Sequence, residues 1–579
     1  MISIEKDYIL YKNFVKKRQT YHNIFFLADL MRWMGDGIFL SAEQIRTKWA
    51  KHIKLIKNKQ VGDVLNFYIH IPFCKSKCNF CMYYSRLLDN KKLDEYISKL
   101  IKQINFFKKI FSGLEFNSLY IGGGTPSVLS EKQIKRLFDS LFASFKFNKD
   151  GEKTFECNPQ NTTFKKLKLL KKYGFNRISF GVQSFDKKVL TFANRNFQNY
   201  YNIVREIVKN AKVFGFEVNT DLMIGLKGES VESIINSSIE LAKIQPDSIT
   251  FYPFKPPEEY IKKYYNKDNK SFLSYLDLKV KEIYRILKFN KNVFNYNFDP
   301  EWTGYEILTS AEPNYFSNNF SSSYKHHYDY TSPLSFLTPC SLFALGTRAS
   351  SYIFNSLQYH VMAPDDKDAN LAFKEKEYWA MRFNLRDEMR YFIIQQLSCR
   401  LCFSQKKFRE FFHSDFKDNF QEAVDALESL GKIKFDNDLV FLPSDPLERY
   451  ACALFFFEKE KVRKKINDFF SQSRLKITVN GKELTIKISA IRKNKKYHLS
   501  TKNFGFHLSA SKDTCQFTNI EKQAIRNLFP LFKIVELENN PESAEEMMNF
   551  SRKSINKILL SQRKNFLKNS LDLRVSIER

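Results

Sequence analysis

From residue 65 to residue 252 the sequence alternates between two periodicities, and that alternation constrains the fold more than any single motif. Leu65, Phe67, Ile69 and Ile71 recur at every second position, which marks a strand that stops at Pro72. The stretch 93–110 then sets Ile97, Leu100, Ile101, Ile104 and Phe107 on one helical face. The pattern repeats as strands over 118–121, 153–157, 177–182, 218–224 and 248–252. Helical stretches over 131–146, 163–173 and 199–214 lie between them, with a last helix capped by Ser230 and running to Ile244. Strands and helices at this spacing form right-handed parallel βαβ units. Six such units predict an α/β fold, a partial (β/α)6 TIM-like barrel or strongly curved parallel sheet, with its chemistry at the C-terminal strand ends.

The remaining chain reads as additions to this body. Residues 1–62 read as an N-terminal helical extension, 63–285 as the barrel, and 286–386 as a connecting region that completes the substrate side. A helix over 387–402, the stripe Phe420, Val424, Leu427 and Leu430 ending at Gly431, and a hairpin through Asp436-Asn437-Asp438 predict a winged-helix-like domain over 387–469. In 470–579 the turn Asn480-Gly481 joins two alternating apolar runs, so this part reads as an α+β C-terminal domain to which the sequence assigns no role.

At 43% apolar and 27% charged residues the 579-residue chain has globular composition, which excludes a disordered chain, a collagen-like fibre and a small disulfide scaffold. Ninety-three basic against 63 acidic residues give a net charge of +30. The basic residues are scattered and Lys, Asn, Phe, Ile and Tyr are all abundant, so the charge reads as codon bias and argues against nucleic acid as a partner. No segment reaches the roughly 18 apolar residues of a membrane span. The N-terminus lacks the pattern of a signal peptide, and the expectation is a soluble cytoplasmic protein.

Nine cysteines, an odd and low number for this length, argue against a secreted disulfide framework. Three of them cluster as Cys74-x3-Cys78-x2-Cys81 just past the first strand. Thiolates in so short a loop select zinc or an iron–sulfur cluster. A structural zinc wants four closed ligands, whereas three leave one metal of a 4Fe–4S cluster open for a substrate or cofactor. After the second strand, Gly122-Gly123-Gly124-Thr125-Pro126-Ser127 lets backbone groups approach a polar ligand unobstructed. The G-x-G-x-x-G spacing of a dinucleotide fold is absent.

The sequences Tyr68-Ile-His-Ile-Pro-Phe-Cys74, Gly-Gly-Gly-Thr-Pro-Ser, Phe155-Glu156-Cys-Asn-Pro159, Asn176-Arg-Ile-Ser-Phe-Gly-Val-Gln183-Ser-Phe185, Asn194-Arg195 and Asn219-Thr-Asp221-Leu-Met-Ile-Gly225-Leu, together with the cysteine loop, resemble the radical S-adenosylmethionine (SAM) enzymes. In particular they resemble the oxygen-independent coproporphyrinogen III oxidase subfamily, which includes haem-chaperone homologues and class C radical SAM methyltransferases. The resemblance is close over 63–285 and weaker through Phe343-Ala-Leu-Gly346 and 387–442. It implies that Cys74, Cys78 and Cys81 ligate a 4Fe–4S cluster whose fourth iron SAM chelates. Gly123, Gly124 and Thr125 would contact SAM near its methionine end, Tyr68 and Glu156 would also touch it, and Phe80 would lie along the adenine or the cluster. Gln183, Arg195 and Asp221 match positions where related enzymes bind a second SAM, so one or two molecules are implied. By type alone, Gln183 and Asp221 read equally as ordinary strand-end polar residues.

The implied function is reductive SAM cleavage that functionalises a carbon of a small organic substrate, a tetrapyrrole or other conjugated molecule, with an electron from a flavodoxin- or ferredoxin-type donor. A two-SAM methyltransferase, a coproporphyrinogen III oxidase and a haem chaperone without turnover are the alternatives. Met82-Tyr83 stands where the oxidases carry Gly-Cys, Gly225-Leu-Lys-Gly where they carry Gly-Leu-Pro, and 324–330 is unlike them. These departures count against a porphyrinogen substrate and leave SAM cleavage untouched. Cys399-x2-Cys402 reads as a buried structural pair, and His326, His327 and Asp329 as a surface loop that could line the substrate mouth.

Overall fold

In a parallel sheet whose strands follow one another in sequence order, right-handed crossovers put every connecting helix on the same face. The chain obeys this rule through six strands. The computed structural model describes residues 2–19, 31, 34–35, 37–60, 62–81, 83–195, 198–254, 256, 258–267, 269–289, 296–298, 306–310, 340–361, 378–400, 402–470, 472–479, 482–493, 496–500 and 573–578. They fall into two compact units, 1–363 with 371–456, and 457–579 with 364–370.

The larger unit opens with α1 (Ile2–Gln19), β1 (Gly37–Leu40) and α2 (Ala42–Lys57). The barrel pattern follows as β2 (Val64–Ile71), α3 (Asn90–Phe107), β3 (Ser118–Gly123), α4 (Glu131–Ser144), β4 (Lys153–Cys157), α5 (Phe164–Lys172), β5 (Arg177–Gln183), α6 (Lys187–Phe192), α7 (Tyr200–Val213), β6 (Glu217–Ile224), α8 (Val231–Ile244) and β7 (Ser248–Pro253). Side chains at the starts cap these helices: Asp89 for α3, Thr163 for α5, Asp186 for α6, and capping boxes from Ser130 with Gln133 and Ser230 with Ser233. Next come α9 (Glu258–Tyr265), α10 (Asn269–Phe289), β8 (Tyr296–Phe298), β9 (Glu306–Ser310), β10 (Cys340–Leu345), β11 (Ser350–Ile353), β12 (Leu357–Val361) and β13 (Tyr378–Arg382).

One thirteen-stranded sheet gathers them in the order β1-β13-β12-β11-β10-β2-β3-β4-β5-β6-β7-β9-β8. Strands β2 to β7 are parallel, which is the predicted run of six. The sheet extends beyond it: β10 adds a further parallel strand beside β2, with Leu345 opposite Ile69, and antiparallel strands follow on both sides. The strand β1 within the expected helical extension is new; it pairs with β13 at the sheet edge.

The two faces of the parallel strands differ in chemistry. Leu65, Phe67, Ile69, Leu119, Ile121, Phe155, Ile178, Phe180, Val218, Leu222 and Ile249 face the helices and share one core with Ile97, Leu137, Leu170, Val204 and Leu241. The alternate positions carry Tyr68, Tyr120, Glu156, Ser179, Asn219, Asp221, Ser248 and Thr250. Among them Asn219 donates to Ser179 Oγ at 3.0 Å and accepts from Ser248 at 2.7 Å and Thr250 at 2.9 Å. The strands are therefore amphipathic, apolar toward the helices and polar toward the lumen.

Two buried contacts fasten the N-terminal extension to this sheet. The His52 ring donates to Asp63 at 2.5 Å, and the Ser341 hydroxyl of β10 donates to the same carboxylate oxygen. Trp49 is fully buried among Phe111 and Phe343 and donates to the Tyr359 hydroxyl at 2.6 Å.

Past the sheet run α11 (Leu385–Arg400), β14 (Cys402–Ser404), α12 (Gln405–Phe412), α13 (Phe416–Ser429), β15 (Lys434–Asp436), β16 (Leu439–Phe441) and α14 (Pro446–Ala453). The strands form a sheet in the order β14-β16-β15. Helix, strand, two helices and a two-stranded hairpin thus follow one another over this stretch. Cys402 opens β14 and is half-buried; the side chain of Cys399 lies outside the described residues, as do Met82 and the residues His326, His327 and Asp329.

The second unit holds α15 (Lys459–Phe470) and a four-stranded antiparallel sheet of β17 (Gln472–Val479), β18 (Lys482–Lys493), β19 (Lys496–Ser500) and β20 (Leu573–Glu578), in the order β19-β18-β17-β20. Val479 pairs with Lys482, so β17 and β18 form the expected hairpin, whose turn residues 480–481 lie outside the described residues. Among the described residues no helix is long and apolar enough to cross a membrane.

Replacing Trp49 tests the anchoring of the extension. Trp49→Ala is expected to cost about 3–5 kcal/mol of stability through the cavity it opens. Trp49→Phe should cost about 1–3 kcal/mol, since it keeps the packing but leaves the Tyr359 hydroxyl without its donor. Denaturant midpoints would measure both; equal midpoints for wild type and Trp49→Ala would show that α2 does not support the sheet.

Candidate functional site

The site is assembled where β2 and β3 end. After Pro72 the chain turns into Phe73-Cys74, and the loop to Cys81 follows. The glycine strap after β3 runs beside this stem: Gly124 N donates to Ile71 O at 2.8 Å and Thr125 N to Phe73 O at 2.9 Å. The approach is so close that a Cβ on Gly124 would lie 2.8 Å from Phe73 N and 3.0 Å from Ile71 O, backbone atoms that cannot step aside. Gly123 has φ +122°, and a Cβ there would strike the His70 ring at 2.8 Å. Only glycine satisfies both the torsion and the clearance.

Thr125 Oγ1 donates to Cys74 Sγ at 3.3 Å. Burial pushes the Cys74 and Cys81 thiols up, Thr125 and Arg195 partly offset this at Cys74, and the three thiols act electrostatically on one another. The Cys74 and Cys81 thiols therefore keep their protons until a cation takes their charge. Among the described residues no three His, Cys, Asp or Glu side chains gather tightly enough for one metal ion.

The far side of the loop is tied down. Asn79 donates through its side chain to Phe192 O at 2.7 Å and through its backbone to Ala193 O at 3.2 Å, and Asn194 Nδ2 donates to Lys77 O at 3.0 Å. Phe80 packs against a small apolar cluster of Val189, Leu226 and Phe254.

On the lumen face the Tyr68 ring stacks on Tyr120 at 5.9 Å, and the Tyr120 hydroxyl donates to Glu156 Oε1 at 2.5 Å. Glu156 Oε2 accepts from Gly123 N at 3.1 Å, so Tyr68, Gly123 and Glu156 are brought together. His70 Nε2 faces the Tyr84 carbonyl at 3.4 Å and must carry the hydrogen; Nδ1 then accepts from the Tyr68 hydroxyl at 3.0 Å. Burial holds this imidazole down at about 4, hence neutral.

Gln183, Arg195 and Asp221 form a second group. Between Asp221 and Leu222 the β5–β6 register slips, so that Asp221 pairs with Gly181 and Leu222 with Gln183. This bulge leaves Gln183 at φ +74°, and bulges of this kind re-aim side chains beside functional sites. Arg195 donates to Gly181 O at 2.9 Å. Gln183 Oε1 and Arg195 Nε are buried without a hydrogen-bond partner among the described residues. Asp221 accepts from Asn219 at 2.7 Å, and its carboxyl is pushed up to about 7 by burial and then by the neighbouring Glu156.

The loop after β6 is held from below. Glu229 accepts from Gly225 N at 3.1 Å and Leu226 N at 3.3 Å, and the buried Lys279 of α10 pairs with it at 2.7 Å. Here Glu229 shapes the turn at the sequence Gly225-Leu-Lys-Gly. Sequence reading passed over His70, Tyr120, Glu229 and Lys279 as site residues. For the first two the signal was present, because polar residues occupy every second position of strands whose other positions are apolar. For the Glu229–Lys279 pair no local pattern exists.

Asp221 makes stability depend on pH. Its pKa is raised in the folded state, so its stabilising contribution is complete below about pH 4 and is lost as pH rises through about 7. One proton bound in this way gives a slope of up to about 1.4 kcal/mol per pH unit. Asp221→Asn should flatten the fall in unfolding free energy between about pH 5 and pH 7 by that amount, as measured by denaturant unfolding across this range; an unchanged slope would show that Asp221 is ionised throughout.

The chain is similar in sequence to known proteins over the region just described. Residues 68–238 match the model of the Radical SAM superfamily. The oxygen-independent coproporphyrinogen III oxidase of Escherichia coli (strain K12) is 33% identical over 192 residues, covering 33% of this chain and 42% of the oxidase. The heme chaperone HemW of Bacillus subtilis (strain 168) is 36% identical over 180 residues, covering 30% of this chain and 47% of the chaperone. The chain thus spans about half the length, or less, of these relatives. The solved structure of coproporphyrinogen III oxidase (HemN) from Escherichia coli superposes with a TM-score of 0.54 at 22% identity, covering 68% of this chain and 90% of that one, which shows a shared fold. The radical SAM family uses a 4Fe–4S cluster and SAM as its cofactors. Residues 68–238 thus match the Radical SAM superfamily, and over this region the chain is similar in sequence to oxygen-independent coproporphyrinogen III oxidases and HemW heme chaperones.

Proposed function

We propose that the chain is a radical SAM enzyme that functionalises a carbon of a small organic substrate, and that Cys74, Cys78 and Cys81 hold its 4Fe–4S cluster. The observation that carries this reading is the clamp of the glycine strap on the stem of a loop with three mutually interacting thiols. Thiolates are the donors that iron–sulfur clusters take, and three leave one iron for SAM. The strap is a cradle that a side chain would fill, which suits the amino and carboxylate end of SAM. Held by Cys74, Cys78 and Cys81 with SAM at the glycine strap, the cluster would supply one-electron reductive cleavage of the sulfonium C–S bond.

The chain's own residues orient and shield. Gly123, Gly124 and Thr125 line the strap, Tyr68 and Glu156 present a ring and a carboxylate beside it, and Phe80 braces the cysteine loop from its apolar side. Neutral His70 locks the Tyr68 hydroxyl by accepting from it at Nδ1. Gln183 and Arg195, with buried polar atoms awaiting partners, and Asp221 beside them offer a second polar subsite. This supports a two-SAM methyltransferase; similarity to the oxidases favours coproporphyrinogen oxidation as the second reading, and similarity to HemW allows haem binding without turnover.

Nucleic acid is a poor substrate for this chain. In a DNA-reading winged helix the second helix of the pair enters the groove. Here that helix, α13, exposes Asp418, Glu422, Asp425 and Glu428 against Lys417, and phosphates repel such a face.

Anaerobically reconstituted protein should bind close to four irons and, on reduction with dithionite, convert SAM to 5′-deoxyadenosine. Alanine at any one of Cys74, Cys78 and Cys81 should lower product by at least about a thousandfold, roughly 4 kcal/mol in barrier. Methyl-labelled SAM would label the substrate of a methyltransferase and leave a decarboxylated porphyrinogen unlabelled. Wild-type protein that takes up no iron, or a Cys78→Ala variant with full turnover, would sink the proposal.

A further inference from the structure

The glycine strap does not end at Thr125. Pro126, with its fixed φ, carries it into a buried turn over Pro126–Val128, so a displacement at Ser127 passes back to Thr125. Two contacts hold Ser127 against the loop that follows β4. Its hydroxyl accepts from Asn158 N at 2.9 Å, and its carbonyl accepts from Lys166 Nζ at 2.7 Å. Lys166 stands in the first turn of α5, where side chains lean back toward the helix N-terminus. From there the same ammonium also donates to Asn161 O at 2.8 Å.

One cationic group therefore bridges the turn after β3 and the turn after β4. These turns continue the two sides of the proposed SAM cradle: Gly123, Gly124 and Thr125 on one, and Glu156, two residues before Asn158, on the other. On the lumen face the two sides meet through Gly123 N and Glu156 at 3.1 Å. Ser127 and Asn161 are both buried, so water is a poor substitute for the ammonium at their carbonyls. Burial draws Lys166 below the usual lysine pKa, so seating its charge has a cost that two charge-assisted hydrogen bonds offset. What the ammonium adds is a second donor hydrogen, which lets one side chain hold carbonyls of two different loops. Lys171 of the same helix is the contrast. It is half-buried, and its Nζ donates to Gly215 O at 2.7 Å, ahead of β6 and so at the opposite strand ends from the strap.

We propose that Lys166 is a positioning residue for the strap: by holding Ser127 and Asn161 together it fixes the gap between Thr125 and Glu156 that SAM enters. The proposal rests on the SAM reading given above. Lys166 acts through Ser127 and Pro126, and what it controls is the place of Thr125, whose Oγ1 donates to Cys74. Without the bridge two buried carbonyls lose their donor, and each gains by moving out to water.

Lys166→Met keeps the aliphatic stem and removes the donor. Lys166→Arg restores a donor with more than one N–H, and Lys171→Met removes a comparable lysine–carbonyl contact of the same helix. Two measurements on the full-length protein separate positioning from stability. In cluster-loaded, unreduced protein the Kd of labelled SAM should be the same for wild type and Lys171→Met. It should rise at least about tenfold in Lys166→Met, as for the loss of a charge-assisted hydrogen bond, and most of that should be recovered in Lys166→Arg. In cluster-free protein, amide hydrogen exchange over 123–128 should quicken in Lys166→Met and keep the wild-type rate in Lys171→Met. Unchanged SAM binding or unchanged strap exchange in Lys166→Met, equal losses in Lys171→Met, or no recovery in Lys166→Arg would overturn the role of Lys166. If Lys166→Met does not fold, Ser127→Ala takes its place: it removes the companion contact to Asn158, should weaken SAM binding, and overturns the proposal if it does not. Wild-type protein that takes up no iron or binds no SAM would instead overturn the SAM reading, and strap exchange would still judge Lys166.

Discussion

Two backbone hydrogen bonds, Gly124 N to Ile71 O and Thr125 N to Phe73 O, hold the site together. They weld the loop after one parallel strand to the loop after its neighbour. The weld forms only because no side chain stands between the two backbones, so the glycines act by what they lack. Everything chemical at the site is positioned from this seam: Thr125 reaches Cys74, and Gly123 presents its N–H to Glu156. The strands on either side supply the rigidity, since their outward faces are locked into one apolar core with the helices.

Side-chain hydrogen bonds explain how the polar lumen is tolerated. Burying Glu156, Asp221 and Asn219 in a barrel would be costly if they stood alone. Glu156 instead accepts from Tyr120 and Gly123, and Asp221 and Asn219 belong to a separate set of hydrogen bonds with Ser179, Ser248 and Thr250. Near Asp221, Gln183 and Arg195 retain buried atoms with no hydrogen-bond partner among the described residues, and Gln183 sits at a torsion that an L residue rarely adopts. Unsatisfied polarity and backbone strain at one point are features that a protein retains when a ligand completes them.

Charge divides the larger unit's surface in a way that the chain-wide total conceals. The net +30 arises from residues spread along the sequence, yet the cysteine loop and α6 are locally cationic while α13 is locally anionic. Association depends on such local fields, because beyond about 8–10 Å exposed charges are screened.

The sequence by itself determined the alternation of strands and helices, the order of the parallel strands and the three-cysteine loop, because each is written in local periodicity or spacing. The six strands fall within a residue or two of their expected places, as at 177–182 against Arg177–Gln183. Tertiary structure alone decided the rest. That β10 lies parallel to β2, and that β1 pairs at an edge 344 positions away in sequence with Met381 opposite Gly37, was invisible because pairing between distant segments leaves no local pattern. The bulge that aims Gln183 and the Glu229–Lys279 pair under the β6 loop were equally hidden. A strand's periodicity says which face a side chain takes, whereas the partner it meets there depends on which other strand or helix the fold brings alongside.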